Sequence, residues 1–214
     1  MTAIRVANAP CSWGVLEFDL PGKALGYAQV LDEIRDTGYE GTELGDWGFM
    51  PTDPGALRRE LDARKLQMVG AFVQVAFADP QTHDKGAKTA VRTAKLLAAV
   101  EGNSPFIVLA DNNATQPGRT KKAGRISAGD GLDESQWATF AKGVEHVARA
   151  VREETGLRCV VHPHGAGFIE TPDEIARLLM LTDPQLVGLC FDTGHYRFGG
   201  GDPIAGLRRH RDRI

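Results

Sequence analysis

Cysteine is scarce in this chain of 214 residues: there are three, Cys11, Cys159 and Cys190, far apart in sequence. Two of them lie inside apolar runs, where a reduced thiol behaves as a small hydrophobe, so the chain reads as belonging to a reducing compartment rather than to a disulfide scaffold. No apolar stretch approaches membrane-spanning length. The start, Met1-Thr-Ala-Ile-Arg-Val, has neither a signal-peptide apolar region nor an arginine-rich amphipathic segment. A cytoplasmic protein without a membrane partner is expected. Positive charge is not in excess either. A formal net charge of -3 offers no overall attraction for nucleic acid, and no nucleic-acid partner is expected. Nothing resembles a linker, and no Gly-x-Gly-x-x-Gly turn follows the first apolar run, which argues against a dinucleotide fold.

What the chain does have is core-forming capacity in a repeating order. With 42% hydrophobic and 25% charged residues it can bury a sizeable core, and a single domain over residues 1–214 is expected. Short apolar runs at Ile4–Ala7, Gly41–Leu44, Gln67–Val75, Phe106–Ala110, Cys159–His162 and Leu186–Phe191 read as strands. Amphipathic stretches near 23–37, 54–65, 84–101, 134–155, 173–181 and 203–212 read as helices between and after them. In 134–155, Trp137, Phe140, Val144, Val147 and Val151 fall on one stripe at spacings of three and four, the mark of a helix packed on a sheet.

Local punctuation agrees. Asp53-Pro54, Thr171-Pro172 and Asp202-Pro203 each combine a side-chain acceptor at an N-cap with proline in the first turn, where its missing N–H is harmless. Thr171 with Glu174, and Asp133 with Gln136, have capping-box spacing. Gly38, Gly102 and Gly156 follow three of the helices, where a left-handed residue closes a helix at little cost. Six strand–helix units in succession build an α/β fold, and a (β/α) barrel is favoured over an open doubly wound sheet.

The chemistry gathers where strands end. Val187-Gly-Leu-Cys-Phe-Asp192-Thr-Gly-His195 is an apolar run that stops on an Asp and a His three residues apart. Arg158-Cys-Val-Val-His162-Pro-His164 ends in two imidazoles. In an α/β fold the carboxyl ends of buried strands carry the polar groups, and two histidine-tipped strands with a strand-end aspartate point to a divalent-metal site. Each residue also has a plainer reading. Asp192 can cap the following turn, and His162 or His164 can satisfy strand-end carbonyls. Glu43, at the end of a strand, either binds substrate hydroxyls or anchors a loop. Trp13 is an apolar wall against a cyclic polyol or a lid. Asp111 and Asn112 either bind hydroxyls or shape a turn. The basic segment Arg119-Thr-Lys-Lys-Ala-Gly-Arg125 reads as a solvated loop, with contact to substrate or a phosphate as the other reading.

The stretches Ala9-Pro-Cys-Ser-Trp13-Gly, Gly38-Tyr-Glu-Gly-Thr-Glu43-Leu-Gly, His162-Pro-His164-Gly-Ala-Gly-Phe-Ile-Glu170-Thr and Thr182-Asp-Pro-Gln-Leu-Val-Gly-Leu-Cys-Phe-Asp192-Thr-Gly-His195 resemble the xylose-isomerase-like sugar isomerase/epimerase superfamily, and within it the inosose dehydratases. The resemblance implies a TIM (β/α)8-type barrel with one divalent ion at its strand ends, Mn2+ or Co2+ first, with Mg2+ or Zn2+ as the other candidates. It implies Asp192 as a ligand, joined either by His162 or by Glu170 folding back from the following loop, and His195 against substrate oxygens. With His164 as a second catalytic imidazole, and Trp13, Glu43 and Asp111 toward the substrate, the implied partner is a small sugar or cyclic polyol. The implied reaction is proton removal beside a carbonyl, followed by loss of a β-hydroxyl in a dehydratase or by return of the proton in an isomerase or epimerase. An accessory polyol-binding module is the reading from another class. The family's seventh- and eighth-strand ligands fall outside these 214 residues. A barrel truncated after its sixth βα unit is therefore expected, with open edges that invite homo-oligomerisation.

Overall fold

The computed structural model describes residues 4–14, 25–102 and 104–214. It holds six strands, β1 Ala7–Asn8, β2 Gly41–Glu43, β3 Gln67–Val75, β4 Phe106–Asp111, β5 Arg158–Val161 and β6 Val187–Leu189, in the sheet order β1-β2-β3-β4-β5-β6. The α-helices are α1 Tyr27–Asp36, α2 Pro54–Arg64, α3 His83–Glu101, α4 Pro117–Lys122, α5 Glu134–Thr155, α6 Pro172–Leu181, α7 Thr193–Phe198 and α8 Pro203–His210. A sheet that keeps sequence order, with helices between successive strands, is the barrel pattern; a doubly wound sheet reverses its order midway. Contacts divide the chain into two compact units, Met1–Phe72 with Arg92–Ile107, and Val73–Val91 with Val108–Ile214.

In the first unit, β1 pairs in parallel with β2 (Ala7↔Gly41, Asn8↔Thr42), and β2 with β3 through a register shift between Thr42 and Glu43. Gly41 is required there, because a Cβ would lie 2.8 Å from Gln67 O and 2.8 Å from Val69 Cγ1. The first strand is shorter and later than the run Ile4–Ala7: Ile4 is 90% exposed, so its apolar side chain finds no cover. Helix α1 buries Val30, Leu31 and Ile34; residues 23 and 24 of the expected helix lie outside the described residues. Helix α2 buries Leu57 and Leu61 and starts as its sequence predicts, with Asp53 accepting the Ala56 N–H at 2.8 Å.

The second unit carries the longer helix stripe. Trp137, Phe140, Val144, Val147 and Val151 of α5 are buried, and the Phe140 ring lies 5.4 Å from Phe77. Both bonds of the Asp133–Gln136 capping box form, at 2.8 and 2.9 Å, and Gly156 closes the helix at φ 74°. The Thr171–Glu174 box opens α6, and Asp202 caps α8. Strand β5 pairs in parallel with β6 (Cys159↔Val187, Val161↔Leu189), and the His162 N–H continues the pattern by donating to Leu109 O at 2.8 Å. Two six-residue helices, α4 and α7, stand where the sequence reads as loop; both are too short to display an apolar stripe. Strand β6 ends earlier than Phe191, because the chain after Cys190 turns to enter α7. Among the described residues no helix is long and apolar enough to cross a membrane.

Candidate functional site

The site is assembled by the ends of β5 and β6 in the second unit. After Val161 the chain leaves the ladder at His162, and Pro163 carries it to His164. After Leu189 it runs through Cys190 and Phe191 to Asp192, the N-cap of α7. Asp192 Oδ1 accepts the His195 N–H at 2.7 Å, which fixes His195 in the first turn of α7. Asp192 therefore caps with one oxygen, as the plainer reading expects, while Oδ2 stands 3.5 Å from His195 Nδ1. That separation is too long for a good hydrogen bond, and His195 Nδ1 is a buried nitrogen with no hydrogen-bond partner.

Three imidazoles converge here. The ring centroids of His162 and His164 are 5.7 Å apart, those of His162 and His195 5.1 Å, and those of His164 and His195 4.3 Å. One nitrogen from each lies within 4.8 Å of the others, an arrangement able to hold a metal ion. Burial, reinforced by the neighbouring His195 and His164, lowers the His162 pKa to about 4. Burial and His164 also lower that of His195. His162 is therefore a neutral imidazole at pH 7, the form that ligates. His164 Nδ1 lies 2.9 Å from Gly165 O; the tautomer that donates this bond keeps the Nε2 lone pair available.

Beside the imidazoles opens a cavity of about 620 Å³ whose lining includes His164, Asp192, His195 and Phe198. Its remaining walls are small residues of the 123 and 165–166 loops and Gly194. Glu170, in contrast, is 2% exposed and uses both carboxylate oxygens on backbone: Oε1 accepts the Gly124 N–H and Oε2 the Ala166 N–H, each at 2.7 Å. Asp111 is also buried, and its Oδ2 accepts the Phe168 N–H at 3.0 Å. Burial raises the Asp111 carboxyl above its ordinary value. These two carboxylates hold the loop that follows His164 from two sides.

Arg119 departs from the solvated-loop reading. It is 3% exposed, donates from Nη1 and Nη2 to Glu174 Oε1 and Oε2 at 2.8 and 3.0 Å, and donates from Nε to Gly167 O. Glu174 Oε2 also accepts the Glu170 and Thr171 N–H groups. A bidentate guanidinium thus ties α4 to the start of α6 and to the loop carrying His164 and Glu170. The rest of the segment is the exposed part: Lys121 and Lys122 face solvent, and Lys122 pairs with Asp130. The sequence reading took Arg119 and Ala123 only as part of a basic loop and did not single out Phe198. The spacing of Phe198 three residues beyond His195 on one helix was the available signal.

Trp13 and Glu43 lie in the first unit. Trp13 Nε1 donates to Glu33 Oε2 at 2.7 Å, so its polar edge is anchored to α1. Glu43 is half-buried at the end of β2, and burial raises its carboxyl.

Residues 31–214 match the family described as xylose isomerase-like TIM barrel. An inosose dehydratase of Geobacillus kaustophilus is 32% identical over 212 residues, covering 98% of this chain and 67% of the relative. Among solved structures, a probable 3-DHS dehydratase of Bacillus anthracis superposes with a TM-score of 0.71 at 13% identity, over 99% of this chain and 71% of that one. A 3-keto-D-glucoside 4-epimerase of E. coli does so with 0.68 at 15% identity, over 92% and 74%.

Proposed function

Since the chain belongs to the xylose isomerase-like TIM barrel family, we propose that it is a metal-dependent lyase that removes water from a keto-inositol or a closely related cyclic keto-polyol. The relative at 32% identity is named an inosose dehydratase, which supports a sugar-modifying enzyme and this substrate class. The observation that carries the reading is the convergence of three imidazoles beside a cavity large enough for a monosaccharide-sized ring.

The residues present suit a divalent ion. His195 Nδ1 is buried with no hydrogen-bond partner, His162 is neutral at pH 7, and His164 has a tautomer with Nε2 exposed as a lone pair. Imidazole donors favour borderline ions such as Co2+ and Zn2+ over Mg2+, whereas Mn2+, the other ion implied by the resemblance, would call for oxygen ligands in addition. In place of the implied set, in which Asp192 is a ligand and His164 and His195 are catalytic, we assign His162, His164 and His195 to hold the ion, because these three converge. Glu170, earlier a candidate ligand, is better read as the brace of the loop, because both its oxygens already carry backbone N–H groups. When bound, the ion polarises the ketone and stabilises charge developing on its oxygen.

The protein's own steps follow from what lines the cavity. Asp192 lines the cavity, and with Oδ1 committed to the cap its Oδ2 is the oxygen left for chemistry. We assign Oδ2 to take the proton from the carbon beside the ketone and to deliver that proton to the departing β-hydroxyl, so that one water leaves per ketone consumed. The loop of His164 to Glu170, held by Asp111, Glu170 and Arg119, keeps the imidazoles from moving as charge develops. If the proton is returned to carbon instead, the same residues perform an isomerisation or epimerisation. The test is titration of the purified chain with Co2+ and Mn2+ by calorimetry, followed by assay of a keto-inositol and open-chain ketoses. Stoichiometric binding that His162→Ala and His195→Ala abolish, with loss of water from the keto-inositol, is the expected result. Wild-type affinity in both variants, or proton exchange without dehydration, would sink the lyase reading.

A further inference from the structure

Five of the eight residues that line the cavity, Ala123, Gly165, Ala166, Gly194 and Phe198, carry no polar side chain. The large one among them is Phe198, the last residue of α7, and Phe198 is 49% exposed although most large apolar side chains of the second unit are buried. Exposure of a single large apolar side chain is common; what sets Phe198 apart is that its ring lines the cavity. Phe198 stands at i+3 from His195, so the two share one face of α7 and both line the cavity.

The seat of the ring is built for it. A Cβ at Gly165 would lie 2.9 Å from Phe198 Cε1, and one at Gly124 would lie 3.1 Å from Phe198 Cζ. Two glycines from different loops thus let the ring edge settle between them. The same two loops are joined by Glu170, which accepts the Gly124 N–H with one oxygen and the Ala166 N–H with the other. The seat is therefore held by a buried carboxylate.

An aromatic ring lining the same cavity as imidazoles and a carboxylate matches a ligand with two chemically different sides. A six-membered cyclic polyol has them: its ring face presents carbon-bound hydrogens, while its hydroxyls radiate from the edge. An open-chain polyol turns hydroxyls in all directions and has no flat face to lay on a ring. We propose that Phe198 is the platform for the C–H face of a cyclic polyol and that it makes the site prefer a carbocycle to an open-chain sugar. This rests on the proposed small-polyol site but does not require turnover.

The test measures binding of two unreactive probes, a cyclohexanehexol and an open-chain hexitol, to the wild-type chain, Phe198→Ala and Phe198→Leu, all with Co2+ present. Wild type should bind the cyclohexanehexol more tightly. Phe198→Ala should weaken that binding by about tenfold while leaving the hexitol within about twofold, the size of effect expected for a lost aromatic contact. Phe198→Leu keeps apolar bulk without the flat π-face and should fall between, which guards against a variant that simply misfolds. Titration with Co2+ alone should be unchanged in both. Failure of the wild type to bind either probe, equal affinity for the two, or a preference that survives in Phe198→Ala overturns the proposal. Phe198-dependent binding of the ring in a chain that never dehydrates a ketone would reject the lyase reading and support this one.

Discussion

Removing the Glu174 carboxylate should be among the most damaging single changes in the second unit. Glu174 accepts two bonds from Arg119, and its Oε2 also accepts the N–H groups of Glu170 and Thr171 at 3.0 and 2.9 Å. Glu174→Ala leaves a guanidinium with 4% side-chain exposure facing no counter-charge. Breaking such a pair by deleting one partner costs about 3–5 kcal/mol, most of it from the stranded charge. Loss of the capping box adds about 1 kcal/mol. The double change Glu174→Ala with Arg119→Met takes away the stranded charge and should recover more than half of the loss. Urea unfolding followed by circular dichroism reads both. With a slope of about 2–3 kcal/mol/M, the single variant should shift its midpoint down by about 1.3–3 M. A shift in Glu174→Ala below about 0.3 M, or a double variant no more stable than the single one, would refute this account.

Three more outcomes are expected. Burial holds His162 neutral with a pKa of about 4, so between about pH 6.5 and 4 the unfolded chain binds more protons than the folded one. Stability should be full above that window and fall as pH drops through it, with His195 adding in the same direction; thermal midpoints that do not decline from pH 7 to 5 would contradict this. Gly143→Ala places a methyl 2.3 Å from His83 Nε2 and should cost about 1–3 kcal/mol by thermal unfolding, with His83→Ala restoring most of it in the double variant. Of the cysteines, exposed Cys11 should react with a thiol reagent at pH 8, while Cys159, buried and pushed up to about 12, should react only on unfolding.

Much of the fold was legible because it is written locally. The N-caps at Asp53, Asp133, Thr171 and Asp202 and the α5 stripe depend on residues within a few positions of one another, and all appear as read. The two strands that lead into the histidine cluster were legible too, since an apolar run followed by His or Asp marks a strand end wherever it lies. What stayed hidden was the long-range pairing. Arg119 sits among lysines and glycine, and nothing nearby shows that its partner lies 55 residues further on. Glu174 had a sufficient local explanation as a capping-box member, which concealed its second role. Glu170 could be seen as a carboxylate near the site, but its oxygens are engaged by Gly124 and Ala166, one of them 46 residues away. Asp192 was posed as either a cap or a site residue, because sequence alone treats as alternatives two duties that separate oxygens of one carboxylate can share.

That sharing makes assembly of the site and nucleation of α7 a single event. The bond that starts the helix also sets where His195 stands, so the first turn cannot fray without carrying an imidazole away from its two companions. An asparagine at 192 would keep an acceptor for the turn and remove the charge, whereas an alanine would lose both. Inactivity in the asparagine variant would therefore report chemistry, and any additional loss in the alanine variant would report geometry. Few positions allow the two to be told apart by changing one atom.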